Sequence, residues 1–549
     1  MSADTKFDEL KNEMFDEFLT KNPEAASFLG LHDPYDWHLS RGDTQSIFEN
    51  LQMLEKFAEK MKSAVKYKDL NDENKIDWLV IEKALEISRF EIEEIRDFEK
   101  NPNVYDQLGA TFFMMITRDY APFEQRIEAL VSRLEQVPRF LKEFRTRFDA
   151  SKPVKLWTEI AIETGQQFPM LFQFIGTLAK GKVPEALQGR LEKAIADIME
   201  PLNEQMEWLK SLEGKTSDEW ALGKERFERL IELRELGMTS EEIYQLGEKY
   251  FKELKEERKR VAAEINPKKN IKEVIAAIEE QAPANFDEAL EATRSAMNDA
   301  KRFLIKQNLA TVFEEDQLTV EETPSFLVPL IPFAALMMPS RFDDPMQGIY
   351  VVTRPKDPKN LRKHLNFHTL RNTAVHEAFP GHFLQGTISN RSSLVHLLGS
   401  GMGSTLGTET IEGWAHYCEQ MMMEEGFVTS SEAKLIQLTD AMWRAVRIMV
   451  DVRLSQGRMR MDEAVNLLVQ EVGISKEGAV AEVRRYTQSP SYPLSYLLGK
   501  HMILQLREEI KKKMGDKFTL KFFHDTITAN GYLWLSLLRK VFDQKIAKL

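Results

Sequence analysis

Residues 373–385 read TAVHEAFPGHFLQ and put His376, Glu377 and His382 within seven positions. Two imidazoles beside a carboxylate are what a zinc hydrolase needs: nitrogen ligands for the metal and a base for the water it activates. The spacing departs from the usual zinc helix, whose two histidines sit at i and i+4. On a continuous helix, residues six apart differ by about 240° net and roughly 9 Å of rise. A straight helix cannot bring both imidazoles to one ion. Pro380 has no N–H to return to the carbonyl of His376, and Gly381 can take φ > 0 and turn the chain. The sequence therefore predicts a helix carrying His376 and Glu377, a break at 379–381, and a return of His382 to the same face. A helix-ending Pro-Gly turn with two ordinary histidines is the alternative, and these residues alone leave it open.

A metal held by two histidines needs a third ligand. Residues 408–421, TETIEGWAHYCEQM, space Glu409, Glu412, His416 and Glu419 by three, four and three, on one helical face. Such a face can be a solvated stripe. Here, however, Ile411, Gly413, Trp414, Ala415, Tyr417 and Cys418 crowd the rest of the helix, which predicts burial, and buried carboxylates need a metal or a cation. Glu412 is the candidate ligand. Glu409, His416 and Glu419 are candidates to orient ligands or line a cleft.

A third constellation is 484–499, RRYTQSPSYPLSYLLG. Arg484 and Arg485 can grip a carboxylate bidentately, and Tyr486, Tyr492 and Tyr496 offer phenol donors to a developing oxyanion. The alternative is an aromatic helix entry with surface arginines. His364 and His368 stand four apart before the motif and read as ordinary surface or core histidines. His32, His38, His396, His501 and His524 show no partner pattern.

These residues need a scaffold. The chain has 549 residues, 43% hydrophobic and 29% charged, enough for a large core. A net charge of −13 and a pI near 5.5 argue against nucleic acid or an anionic membrane as the main partner. One cysteine, Cys418, allows no intrachain disulfide and no cysteine-based zinc site, and fits a reducing compartment. The first residues lack the pattern of a signal peptide. The longest apolar run, 326–338, holds two prolines and is too short to span a bilayer. A cytoplasmic protein is the expectation.

Most of the chain carries helical periodicity. Phe7, Leu10, Met14, Phe15, Phe18 and Leu19 form one apolar stripe, closed by Asn22-Pro23, with Gly30 capping the next short helix. Comparable patterns fill 45–100, 120–150, 155–215 and 225–310, with turns near 264–270 and 281–286. Between 311 and 356 six prolines forbid a long helix, and 317–321 and 348–354 have strand composition. A small antiparallel sheet is expected there, with 348–354, which carries Tyr350, as its best strand. In a peptidase that strand could lie along the cleft and pair with an extended substrate. A structural hairpin is the alternative. The expected organisation is a helical region 1–310, a sheet segment 311–356 and a helical region 357–549 with the metal site, intertwined as one unit. The fold class is mainly α.

Together these segments resemble the domain-of-unknown-function family 885, a group regarded as zinc peptidases. The resemblance rests on TAVHEAFPGHFLQ, on EGWA-x-Y at 412–417, and on Arg485, Tyr486, Pro490, Ser495, Tyr496 and Gly499. PEAASFLGLHDPYD at 23–36 extends it to nearly the whole chain. The family is similar to largely helical gluzincins, the carboxypeptidase Taq-like and angiotensin-converting-enzyme-like peptidases. That kinship implies a deep cleft and a metal held by two histidines and one glutamate. It implies His376, His382 and Glu412 as ligands, Glu377 as general base, Tyr496 at the oxyanion and Arg485 as a substrate-orienting cation. Two departures stand out: His416 occupies a position expected to be apolar, and 490–493 read PSYP where the family tends to PGQA.

The function expected is a metallopeptidase with one Zn2+ per chain, though another divalent ion could occupy such ligands. It would act on short peptides, as a carboxypeptidase or dipeptidase, with Tyr350, His416, Tyr486, Tyr492 and Arg485 facing substrate. No nucleic-acid or membrane partner is expected. The alternatives are a metal-dependent amidohydrolase of a small non-peptide amide and a non-enzymatic helical binding protein.

Overall fold

A computed structural model describes residues 2–149, 151–324, 328, 331, 333–355, 357, 360–400 and 405–549. The protein is mainly α, with one three-stranded sheet among the described residues. It divides into two compact units, Met1–Trp220 and Ala221–Leu549.

Among the described residues the first unit is built of helices joined by turns, with one isolated bridge between Val154 and Ser217. The opening stripe forms the helix Ala3–Lys21, which buries Phe7, Leu10, Met14, Phe15 and Leu19. The Ser2 side chain caps its start. Asn22 ends it and Pro23 starts the next helix, Pro23–Leu29, which Gly30 closes at φ 88°. Two long helices, Phe123–Arg147 and Glu185–Leu212, pack against each other. Arg133, on the first of these, is fully buried and donates to the carbonyl of His38 and the hydroxyl of Ser27.

The second unit carries every residue of the candidate site. The helices that bear on the site are α1 (Lys224–Leu233), α2 (Ser240–Ile265), α3 (Phe367–Glu377), α4 (His382–Ser389), α5 (Thr408–Glu424), α6 (Ser431–Ser455), α7 (Lys476–Thr487), α8 (Ser495–Met514) and α9 (Leu520–Thr528). Local chemistry sets many starts: Asn366, Ser430 and Ser475 accept backbone N–H groups of α3, α6 and α7, and Thr239 with Glu242 forms a capping box on α2. α2 lies along α6, with Gly247 pressed against Ile448. α5 lies along α8, and this pairing is closer still. A Cβ on Gly499 would stand 2.1 Å from the carbonyl oxygen of Glu409, and one on Gly413 would stand 2.4 Å from the carbonyl carbon of Gly499. Only glycine at both positions allows the two backbones to meet.

The strands are β1 (Gln317–Glu322), β2 (Ala334–Met337) and β3 (Gln347–Val352), in the order β1-β3-β2. The expected antiparallel pairing of 317–321 with 348–354 is corrected: β1 joins β3 in parallel, and the antiparallel partner of β3 is β2. β2 was not foreseen: it lies in the proline-interrupted run 326–338, of which Phe326, Leu327, Pro329, Leu330 and Pro332 fall outside the described residues. Among the described residues no helix is long and apolar enough to cross a membrane.

Candidate metal centre

The break in the HExxxxH segment has a specific geometry. α3 ends at Glu377, the Phe379–Pro380 peptide is cis, and α4 begins at His382. The N–H of Gly381 reaches back to the carbonyl of Val375 at 3.0 Å, and that of Gln385 restarts the helical ladder on Gly381 at 3.1 Å. Trp414 of α5 donates its indole N–H to the Pro380 carbonyl at 2.8 Å and pins the bend. The expected role of Gly381 is corrected here. Its φ is −66°, not positive. The glycine is needed for close approach: a Cβ would lie 1.7 Å from the carbonyl oxygen of His376.

The bend brings His376 and His382 together, their rings 4.8 Å apart and perpendicular. Glu412 of α5 completes the group. One ligand atom from each of these three residues lies within 4.8 Å of the others. Glu412 Oε2 is 3.4 Å from His382 Nε2 and 3.8 Å from His376 Nε2, and it has no hydrogen-bond partner. Its other oxygen, Oε1, accepts the hydroxyl of Tyr492. Burial alone would raise the Glu412 carboxyl, but contact with His382 and the charges of both histidines hold it well below the usual carboxylate range. Burial disfavours a charged His382, yet Glu412 beside it lifts that imidazole above its ordinary value. Glu377 is half-buried at the end of α3, close enough for its charge to act on both His382 and Tyr350.

Behind the ligands sits a buried charged layer. Glu419, two turns beyond Glu412, stands 2.8 Å from His376 Nδ1. Its carboxyl would be raised by burial, but His416, Arg444 and His376 hold it well below the ordinary value. Asn372 bridges Glu419 to Asp440, whose own carboxyl burial pushes up. His416 faces this layer and is fully buried. Its Nδ1 lies 3.2 Å from Glu419 Oε2 without hydrogen-bond alignment, and neither ring nitrogen has a hydrogen-bond partner. Burial, with the charge of Lys500, pushes it down to about 3. Glu409 turns away and pairs with the buried Arg234.

The tyrosines divide by partner. Tyr496 is stacked over His376 at 6.4 Å, and burial, with the Glu412 charge, pushes its hydroxyl up to about 12. Tyr492 is engaged with Glu412. Tyr486 donates to Glu482 and accepts from Arg447, so its hydroxyl is committed within the layer of α6 and α7. Arg485 lies over the rings of Tyr486 and Tyr492 and pairs loosely with Glu482. Tyr350 is buried on β3 beside Glu377. The expectation that 348–354 pairs with substrate is corrected for its centre: β3 is the central strand and is bonded on both sides from 349 to 352, so that stretch of backbone has no vacant edge. His364 ends a short helix next to Phe333 and His368 bonds Gln281 from α3, so the two do not form a pair.

Sequence reasoning missed Arg234, Arg444, Arg447 and Asp451. A signal existed for three of them. Residues 444, 447 and 451 repeat by three and four within an otherwise apolar stretch of α6, the mark of charges facing a built interior.

The model of the family DUF885, described as bacterial protein of unknown function, matches residues 23–541. Among solved structures the chain is similar to a candidate lipoprotein of unknown function from Shewanella oneidensis. The TM-score is 0.78 and the identity 23%, covering 97% of this chain and 99% of that one. It is also similar to a candidate lipoprotein from Colwellia psychrerythraea, with TM-score 0.84 and 18% identity over the whole of both chains. At such identities the likeness concerns the fold. Among curated proteins none matches.

Proposed function

The chain belongs to DUF885, a family of bacterial proteins of unknown function, and we propose that it is a zinc-dependent hydrolase of short peptides. The observation that carries this reading is the His376–His382–Glu412 cluster with Glu377 beside it. The cluster fits zinc. Two ligand atoms at about 2.0–2.1 Å from a tetrahedral zinc lie roughly 3.4 Å apart, close to the separations of Glu412 Oε2 from His382 and His376. That oxygen is buried without a hydrogen bond, a costly state unless a cation takes it. His376 presents Nε2 because its Nδ1–H is directed at Glu419.

Zinc, when bound, supplies a Lewis acid and lowers the pKa of water to about 7. The protein does the rest. Glu377, at the rim of the cluster, takes the proton of the attacking water on its carboxylate and returns it to the leaving amine. Tyr496 stays protonated across the neutral range, so its hydroxyl can donate to the oxygen on which negative charge develops. Arg485 offers a cation to a peptide's terminal carboxylate, which suits a carboxypeptidase or dipeptidase. The cytoplasm is the proposed compartment, on the single buried Cys418. The lipoprotein naming of both structural relatives makes cell fractionation the deciding measurement.

Elemental analysis of freshly purified protein tests the premise. We expect about one zinc per chain, lost in His376→Ala, together with hydrolysis in a short-peptide library that chelator abolishes. A chain that takes up no zinc when it is supplied would end this reading.

A further inference from the structure

We propose that Asp451 and Arg234 are positioning residues for the metal site, acting through the turn 491–495 on Tyr492 and so on Glu412; this rests on the zinc reading above. Tyr492 bonds the Glu412 oxygen that does not face the histidines, so its place decides how the other oxygen is aimed. Yet Tyr492 sits on a turn between α7 and α8. The residue before it, Ser491, holds φ 66° without being glycine, and its hydroxyl has no hydrogen-bond partner. Such a backbone persists only where its surroundings over-determine it.

Two fully buried charges do so, each gripping the turn both before and after the tyrosine. Asp451 of α6 accepts the N–H of Ser491 at 3.1 Å and the N–H of Leu494 at 3.0 Å, and is itself steadied by the Ser455 hydroxyl at 3.0 Å. Arg234, at the end of α1, donates to the Ser491 carbonyl and, at 3.0 Å, to the Ser495 hydroxyl. Its guanidinium also pairs with Glu409 at 2.8 Å, one turn before Glu412 on α5. The arginine thus ties the tyrosine's turn to the helix that carries the ligand. Neither residue touches a ligand. Burying both charges is costly and yields little stability by itself. What the arrangement provides is a fixed distance between the Tyr492 backbone and α5.

The test is a double-mutant cycle on zinc affinity, read by competition with a chromophoric chelator, with thermal unfolding as a check on folding. Partners beyond the ligands contribute about 10- to 100-fold to metal affinity. Tyr492→Phe is expected to weaken zinc about 10-fold and Asp451→Asn by a similar factor. The double variant should be no weaker than the weaker single, because both act through one hydrogen bond. A folded Asp451→Asn with wild-type affinity, or losses that multiply in the double variant, would overturn the proposal. If Asp451→Asn does not fold, Arg234→Lys carries the same cycle: it keeps the charge beside Glu409 and loses the fork that holds the turn. A wild type that binds no zinc would sink the zinc reading itself, whereas wild-type binding with multiplying losses would sink only this proposal.

Discussion

His376 shows how a single side chain is prepared from two directions. Glu419 orients its Nδ1 and Glu412 faces its Nε2, while the ring of Tyr496 covers it. The next residue, Glu377, differs in kind. Its carboxylate is half-buried and is not part of the three-residue cluster. Glu377→Gln keeps the shape and removes the base. It should therefore retain zinc while peptide hydrolysis falls by about 10²–10⁴-fold. Hydrolysis rates and zinc content measured on the same sample check this, and wild-type turnover in the variant would remove Glu377 from its proposed role. At this scale the sequence was readable wherever chemistry depends on residue type. The imidazoles and the carboxylate of Glu412 were all named from spacing. Residue type alone did not separate the hydroxyls of Tyr486 and Tyr492 from that of Tyr496, which only the resemblance singled out, because a phenol's role depends on which partner lies within reach.

The helix break between α3 and α4 was legible from Pro380, which cannot donate to His376. The reason for Gly381 was not, because it depends on how tightly the chain folds back onto its own carbonyl. The same applies to α5 and α8, whose contact runs through Gly413 and Gly499. Gly499→Ala places a Cβ 2.1 Å from the Glu409 carbonyl oxygen and forces these helices apart. Overpacking of this kind costs roughly 1–3 kcal/mol. The displaced helix carries Glu412, so a lowered melting temperature should come with weaker zinc retention. Thermal unfolding with and without added zinc checks both. Unchanged values would mean that the helices separate without disturbing the site. In the sheet, strand composition marked β1 and β3, but pairing order is a long-range property, and it made β3 central.

Over the whole molecule, one buried histidine ties stability to acidity. His524 of α9 is fully buried. Its Nδ1–H donates to the Leu309 carbonyl at 2.8 Å, and its Nε2 accepts the Tyr417 hydroxyl at 2.8 Å. Only the neutral ring satisfies both bonds. Burial, with the Arg507 charge, pushes its pKa down to about 4 against the Leu309 carbonyl, with Asp525 and Lys521 also facing it. The folded value lies below the ordinary 6.5, so this contribution is complete above pH 6.5 and is lost as pH falls towards 4. At one pKa unit per 1.36 kcal/mol, roughly 2–3 kcal/mol disappears by pH 4.5. Urea unfolding at pH 7 and pH 4.5 should show a smaller loss in His524→Gln than in wild type. An equal loss would place the acid sensitivity elsewhere.

By itself the sequence determined the mainly helical class, the place of the break and the residue types able to hold a divalent cation. These follow from local rules: periodicity, proline's missing donor and the chemistry of imidazole and carboxylate. Only the tertiary structure decided which tyrosine hydroxyls are already engaged and that Arg234 and Asp451 grip the turn carrying Tyr492. Those outcomes depend on groups far apart in sequence sharing a buried space. There most charges and hydroxyls find a partner, and the packing of whole helices, down to the contact of Gly413 with Gly499, selects which one.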